Sequence, residues 1–422
     1  MSTEQDVVAY LQTPQAIRDR TQKIFTLCQA NQLEHFSCDL SQLDQVAAYV
    51  VETTQQHYPD FDVPFHSRWR HFDAGGVPRL AALNQSLQQP ERESKARSLL
   101  DLVIVSVLLD AGAGHQWRYC DTTESAQTVM GRSEGLAIAS LRAFEQGFFS
   151  SDPAEPYQVD AKRLQQLSEP DLAQAFQVSA DNPLVGLSGR LLLLHQLGAA
   201  LAAQPEYFGS NPVRPGKLLD ALKARYGIAS NAGSEAGVDI GLDAGVLLTQ
   251  VLRCFGSIWP GRSTLAGVNL GDVWSHPALG DTAPDNLVPF HKLSQWLTYS
   301  LVEPLATAGI TVTNLNALTG LAEYRNGGLC VDMGLLIPKH SQVTAVSHLP
   351  NSPVVVEWRA LTVALLDLIG DRVCQQLHKS AEDLPLIKVL EGGTWAAGRR
   401  IAKQRRPTGE PPIAIESDGT VF

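Results

Sequence analysis

From Ser98 to Asp110 the chain reads SLLDLVIVSVLLD, apolar at nearly every position. A helix that is apolar on all sides has no face to give to water and must be wrapped by other elements. A buried strand would fit the same run, because periodicity does not separate the two in a short apolar stretch. Either way the molecule must be large enough to enclose it. The 422 residues of the chain allow that, whether as two or three domains or as lobes sharing one core. Further helical segments follow: GLSGRLLLLHQLGAALAA (Gly186–Ala203) and HKLSQWLTYSLVEPLATAG (His291–Gly309), the second ending near a glycine. SPVVVEWRALTVALLDLIGDRVCQQL (Ser352–Leu377) starts with β-branched residues and then takes a helical period through Trp358, Leu361, Leu365 and Leu368. Strand signals are few and short, GITVTNL (Gly309–Leu315) being the best. Strand and helix do not alternate regularly, which argues against a doubly wound α/β sheet. The expectation is a mainly α, compact, two-lobed protein with few short strands. It reads as a single functional unit over 1–422, with approximate lobes 1–210 and 211–422, and no internal repeat.

Composition narrows the partners. The formal net charge of −11 argues against a general nucleic-acid binder, which would carry a basic surface. It leaves room for a local basic pocket. No apolar run reaches the ~18–20 residues a membrane helix needs, and MSTEQDVVAYLQ lacks the layout of a secretory signal. The six cysteines (Cys28, Cys38, Cys120, Cys254, Cys330 and Cys374) form no Cys-x-x-Cys pair, a pattern that suits reduced thiols in a cytoplasmic protein. The eleven histidines make no His-x-x-x-His or His-Glu-x-x-His helix, so neither a metal nor another cofactor is expected.

Four segments carry polar groups that a core does not need; unpartnered polar groups taken from water cost ~1–3 kcal/mol each. PFHSRWRHFDAGG (Pro64–Gly76) holds His66, Arg68, Trp69 and Arg70, enough to clamp an anion and stack on a planar group, or to form an ion-paired surface loop. Asp110 follows the apolar run directly and is succeeded by Ala-Gly-Ala-Gly. A carboxylate at a helix C-terminus opposes the helix dipole and needs a compensating partner. On the His291 segment, Lys292, Gln295 and Tyr299 share one face, facing either a pocket or solvent, and Lys292 sits near a helix amino end that favours anions. GDVWSHPAL upstream adds Trp274. The fourth segment, LTGLAEYRNGGLCVDMGLL, places Glu323, Tyr324, Arg325, Asn326 and Asp332 around Gly327-Gly328. A turn at the glycines would bring Glu323 and Asp332 to one cavity; a self-satisfied structural network is the competing reading. LEGGTWAAGR repeats the theme of charge, glycine and aromatic with Trp395. Carboxylates and aromatics with a few cations suit cleavage through an oxocarbenium-like transition state.

Together PFHSRWRHFDAGG, DLVIVSVLLDAGAG, SEGLAIASLRAFEQGFFS, NPLVGLSGRLLLL, VPFHKLSQWLTYSL, LTGLAEYRNGGL, VEWRALTVALLDLI, LEGGTWAAGR and the terminal SDGTVF resemble, over nearly the whole length, the uracil-catabolism (Urc) family, long known as a domain of unknown function. The resemblance implies a pyrimidine-degrading route in which uracil becomes a nucleotide before its ring is opened. It implies action on ribosylurea or its 5′-phosphate, giving urea and ribose or ribose phosphate, and a functional link to a ring-opening, cyclohydrolase-like enzyme. HKLSQW followed by AEYR is also similar to the lysine helix and Ala-Asp-Tyr-Arg segment of queuosine-phosphate salvage N-glycosidases, helical ribohydrolases similar to helix-hairpin-helix DNA glycosylases. That similarity implies a phosphate contact for Lys292 and a site carboxylate at Glu323. Here Glu replaces Asp, and Asn326-Gly327-Gly328 replaces a Val-Pro-Gln run.

The resulting expectation is an N-ribosyl hydrolase for a small molecule, with no nucleic-acid or membrane partner. Glu323 is the first candidate carboxylate, kept ionised by Arg325; Asp332 is the second, and Asp110 a sugar anchor. Lys292 with His66, Arg68, Arg70 or His291 would hold the phosphate. Trp69, Gln295, Tyr324, Asn326, Trp274 and Trp395 complete the substrate-binding candidates. An amidohydrolase attacking the urea carbonyl, and a non-catalytic partner of the ring-opening enzyme, are the alternatives.

Overall fold

The computed structural model describes residues 3–87, 91–110, 112–123, 128–228, 240–259 and 263–416. The terminal SDGTVF string and Ala111 of the Asp110 turn lie outside them. The fold is mainly α. Its principal helices are α1 (Pro14–Gln29), α2 (Leu43–His57), α3 (Arg92–Leu108), α4 (Arg132–Glu145) and α5 (Leu187–Ala202). They continue with α6 (Ala244–Phe255), α7 (Lys292–Thr307), α8 (Tyr324–Asp332), α9 (Pro353–Leu377) and α10 (Trp395–Arg405). Six two-stranded ladders, each of two to four residues per strand, account for the described sheet structure. Four ladders are antiparallel; Ile240–Asp243 with Ile310–Thr313 and Ser347–His348 with Ala414–Ile415 run parallel.

The all-apolar run is helical. From Ser98 onward α3 is buried at every position to Leu108, and α7 lies along it. Around this pair one continuous core extends from Ile17 to Ile413. The long α9, entered through Pro353 at its first turn, packs on α1 and α2. Proline there forfeits no helix hydrogen bond. Thr13 starts α1 by accepting the Ala16 N–H at 3.1 Å, the usual remedy for unsatisfied first-turn donors. No helix among the described residues is long and apolar enough to cross a membrane.

Helix α7 begins without a cap from its own preceding residue. His291 adopts a left-handed backbone (φ 47°), and its Nε2 reaches the Leu11 carbonyl at 2.8 Å. The Asp272 carboxylate accepts the Lys292 N–H at 3.0 Å instead. Arg359 holds Asp272 through two contacts of 2.8 Å, and the Trp274 indole N–H donates to it at 2.6 Å. Burial alone would push the Asp272 carboxyl up, but the Arg359 guanidinium outweighs it and holds the group far below the ordinary aspartate range. A buried ion pair thus fixes where α7 starts, and with it Lys292.

Candidate active site

A cavity of about 430 Å³ opens where the amino ends of α4, α7 and α8 converge beside Asp110 and the start of α10. Residues 410–415, just after α10, form one further side of it. Three converging helix N-termini bring positive partial charge toward it, a setting that favours anionic groups.

Glu323 occupies the N-cap of α8. Its two carboxylate oxygens accept the N–H groups of Arg325 at 2.8 Å and Asn326 at 2.5 Å, which fixes the group at the cavity wall. Burial is the largest influence on it and, despite those hydrogen bonds and the Lys292 charge, raises its pKa. Arg325 does not reverse that shift, contrary to the sequence expectation. Its guanidinium turns to the Gly409 carbonyl (2.7 Å) and lies 5.0 Å from the Tyr324 ring centroid.

Asp110 has the partner its position demands. Arg68 Nη1 lies 2.9 Å away, and the Ser133 hydroxyl donates to the other oxygen. Burial would raise the Asp110 carboxyl, but Arg68, His71 and Lys292 together hold it below its ordinary value. Arg68 itself is wholly buried behind the cavity wall, bonded also to Ser106, the Ser133 carbonyl and His71 Nδ1. Removing one member of such a pair leaves a buried charge and costs ~3–5 kcal/mol.

Two cations of the wall are unencumbered. Among the described residues, neither the Lys292 ammonium nor the Arg132 guanidinium makes a hydrogen bond or ion pair, and both line the cavity. Burial lowers the Lys292 pKa; the charges of Glu323 and Asp110 oppose that shift. Arg132 opens α4 with a left-handed backbone (φ 56°), a conformation that costs a non-glycine residue ~1–3 kcal/mol and clusters at functional sites. Trp296, Trp395, His66 and His71 line the cavity as well. Arg399, paired with Glu134 at 3.0 Å, lies 4.7 Å from the Trp395 ring centroid. Burial pushes the Glu134 carboxyl up, but His71, in its protonated form, and Arg399 bring it below its usual value.

Of the residues singled out from sequence, Glu323, Asp110, His66, Lys292, Tyr324, Arg325 and Trp395 line this cavity. The others do not. Gly327 and Gly328 lie inside α8 rather than in a turn, so Asp332 falls at the far end of that helix and forms a two-pronged pair with Arg406. Arg70 pairs with Glu303 at 2.7 Å, and the Trp69 N–H donates to the Ser300 carbonyl. Gln295 is locked to Thr319, Asn326 donates to the Leu321 carbonyl, and His291 and Trp274 secure the start of α7. The sequence reading counted His71 in the Pro64–Gly76 cluster without giving it a site role, and overlooked Arg132, Ser133, Glu134, Trp296 and Arg399 as site residues. Ser133 and Glu134 open the quoted SEGLAIASL string, and Trp296 was assigned to the apolar face of its helix. Among the described residues, no group of three or more His, Cys, Asp or Glu side chains is arranged as a metal site.

The fold and site therefore define a mainly helical protein with a half-open cavity that has acidic, basic and aromatic walls. Over residues 10–422 the chain matches the family described as "Protein of unknown function (DUF1688)", and it belongs to that family. It is 41% identical over 429 residues to "Protein urg3" of Schizosaccharomyces pombe, with all of both chains covered. Similarity to "Uracil catabolism protein 4" of Lachancea kluyveri is 37% over 452 residues, again with full coverage of both.

Proposed function

We propose that this protein acts in uracil catabolism as an N-ribosyl hydrolase, cleaving ribosylurea 5′-phosphate, or the free riboside, to urea and the sugar. The observation that carries the proposal is the Glu323 carboxylate, fixed by the first N–H groups of α8 in a cavity that also holds the unpaired Lys292 and Arg132. The name of the Lachancea relative supports the pathway. In the reaction the bond from C1′ to nitrogen breaks with its electron pair going to urea, while positive charge builds on C1′ and the ring oxygen. Ionised Glu323 stabilises that charge and takes a proton from the incoming water. Hydroxide adds to C1′, and the water proton ends on the urea nitrogen. Asp110 accepts sugar hydroxyls, and Lys292 and Arg132 receive the phosphate as charge-assisted contacts. Chelator-treated protein given synthetic ribosylurea 5′-phosphate tests this directly. Urea release is expected; none above background contradicts it.

A further inference from the structure

Two histidines face the same pair of indoles in opposite tautomers. The ring centroid of His66 is 4.6 Å from that of Trp296 and 6.5 Å from that of Trp395; His71 is 5.7 Å and 6.2 Å from the same rings. His66 Nδ1 lies 2.7 Å from the Glu391 carboxylate. Burial, the largest single influence, would raise that carboxyl, but the His66 hydrogen bond leads the influences that together keep it below its ordinary value, hence ionised and accepting. His66 therefore carries a proton on Nδ1, and its neutral form leaves Nε2 as an acceptor. His71 is the reverse. Its Nδ1 contacts Arg68 Nη1 at 3.2 Å, and a guanidinium can only donate, so the neutral ring must carry its proton on Nε2. Burial and the Arg68 charge both lower the His71 pKa and favour that neutral form. Among the described residues neither Nε2 has a hydrogen-bond partner, and both rings line the cavity.

We propose that His66 and His71 form a bidentate subsite for a planar group carrying a terminal amino group beside a carbonyl, with His71 donating to the oxygen and His66 accepting from the amino N–H. Trp296 and Trp395 supply the flat apolar faces against which such a group lies. This rests on the hydrolase reading and deepens it, because the urea end of the substrate is such a group. It also distinguishes the site from one that merely holds a sugar phosphate. Glu391 is a positioning residue: it sits in the π-turn Leu390–Thr394 and also receives the Tyr58 hydroxyl at 3.3 Å.

Carbocyclic analogues of ribosylurea 5′-phosphate, in which a methylene replaces the ring oxygen, cannot undergo N-ribosyl hydrolysis and report binding alone. Three are compared by calorimetry: the urea, the thiourea with its weak sulfur acceptor, and the acetamide, in which methyl replaces the distal amino group. The intact protein should bind the urea about tenfold more tightly than either analogue, since a site built to pair a polar group leaves its own partner stranded when that group is absent. His71→Phe should erase the urea–thiourea difference and keep the urea–acetamide one; His66→Phe should do the converse. Equal affinity for all three compounds in the intact protein overturns the proposal without recourse to any variant, and so do variants that both leave both differences in place. Hydrolysis of ribosylurea phosphate without such discrimination removes only this subsite. Discrimination without hydrolysis removes only the reaction.

Discussion

In the proposed reaction, Glu323 is the residue on which the chemistry turns. Substitution by Gln keeps the shape and one of the two capping contacts on α8, but removes the negative charge. We expect kcat to fall by at least ~10²-fold, within the ~10²–10⁴ that acid–base groups supply, with an unchanged far-ultraviolet circular dichroism spectrum and cooperative unfolding as the control. Because burial raises the Glu323 pKa and the ionised form is the working one, the acid limb of kcat/KM should lie above the usual glutamate value of 4.5. An acid limb at or below that value, or near-wild-type kcat in Glu323→Gln, would move the role elsewhere. Lys292→Ala should weaken the 5′-phosphate far more than the free riboside, because a charge-assisted contact contributes ~1.5–3 kcal/mol; equal losses in KM would show that Lys292 does not meet the phosphate. Residue by residue, the sequence picked out Glu323, Lys292 and Asp110, and the fold brings all three to one cavity wall. Identity alone left other positions open. Arg68 and Arg70 read equally as an anion clamp or as ion-paired, and Asp110 and Glu303 pair with them. Trp296 looks like core because a helix buried on all sides gives no sign of which flank borders a cavity.

Among the elements, α8 and its neighbours set the position of Glu323. At Gly398 of α10 a Cβ would come 2.2 Å from the Arg325 carbonyl oxygen, so α10 reaches the first turn of α8 only because residue 398 has no side chain. Gly327 does the same toward α9, where a Cβ would meet the Trp358 indole at 2.7 Å. Gly398→Ala must therefore push α10 off α8. Overpacking of this kind costs typically ~1–3 kcal/mol, so the urea midpoint should fall and kcat with it, since Glu323 caps the displaced helix. A glycine-to-alanine change on open helix would instead be neutral or stabilising, and that outcome at residue 398 would refute the close packing. Helical periodicity made α5, α7 and α9 legible, each within a few residues of its ends; for α3 it left helix and strand open, and the helix starts before the apolar run, at Arg92. The α8 glycines were misread as a turn. Paired glycines mark either a turn or a close helix crossing, and only the partner helix decides between them.

Across the whole molecule, the cavity joins residues from His66 to Ile415, so its integrity depends on the global fold. Asp110, Glu134 and Glu391 all titrate below their usual values of 3.8, 4.5 and 4.5 in the folded state. Each therefore contributes stability that is present above those values and lost as pH falls through the lower folded ones. Glu323, shifted upward, works in the opposite sense and loses stabilising power as pH rises through its folded value. The chemical-denaturation midpoint should accordingly drop on acidification below about pH 4; a midpoint flat from pH 5 to 3 would contradict the assigned ion pairs. Convergence of three helix N-termini on one cavity was invisible in sequence, because it is a property of long-range packing rather than of any segment. The central claim is that the bond broken is the one between sugar and urea. Ribosylurea 5′-phosphate labelled with ¹³C at the carbonyl, followed by NMR with chelator-treated protein, reads it directly. The account predicts labelled urea as the first and only labelled product, in step with ribose 5-phosphate; labelled bicarbonate with free ammonia, or an unchanged substrate, would contradict it.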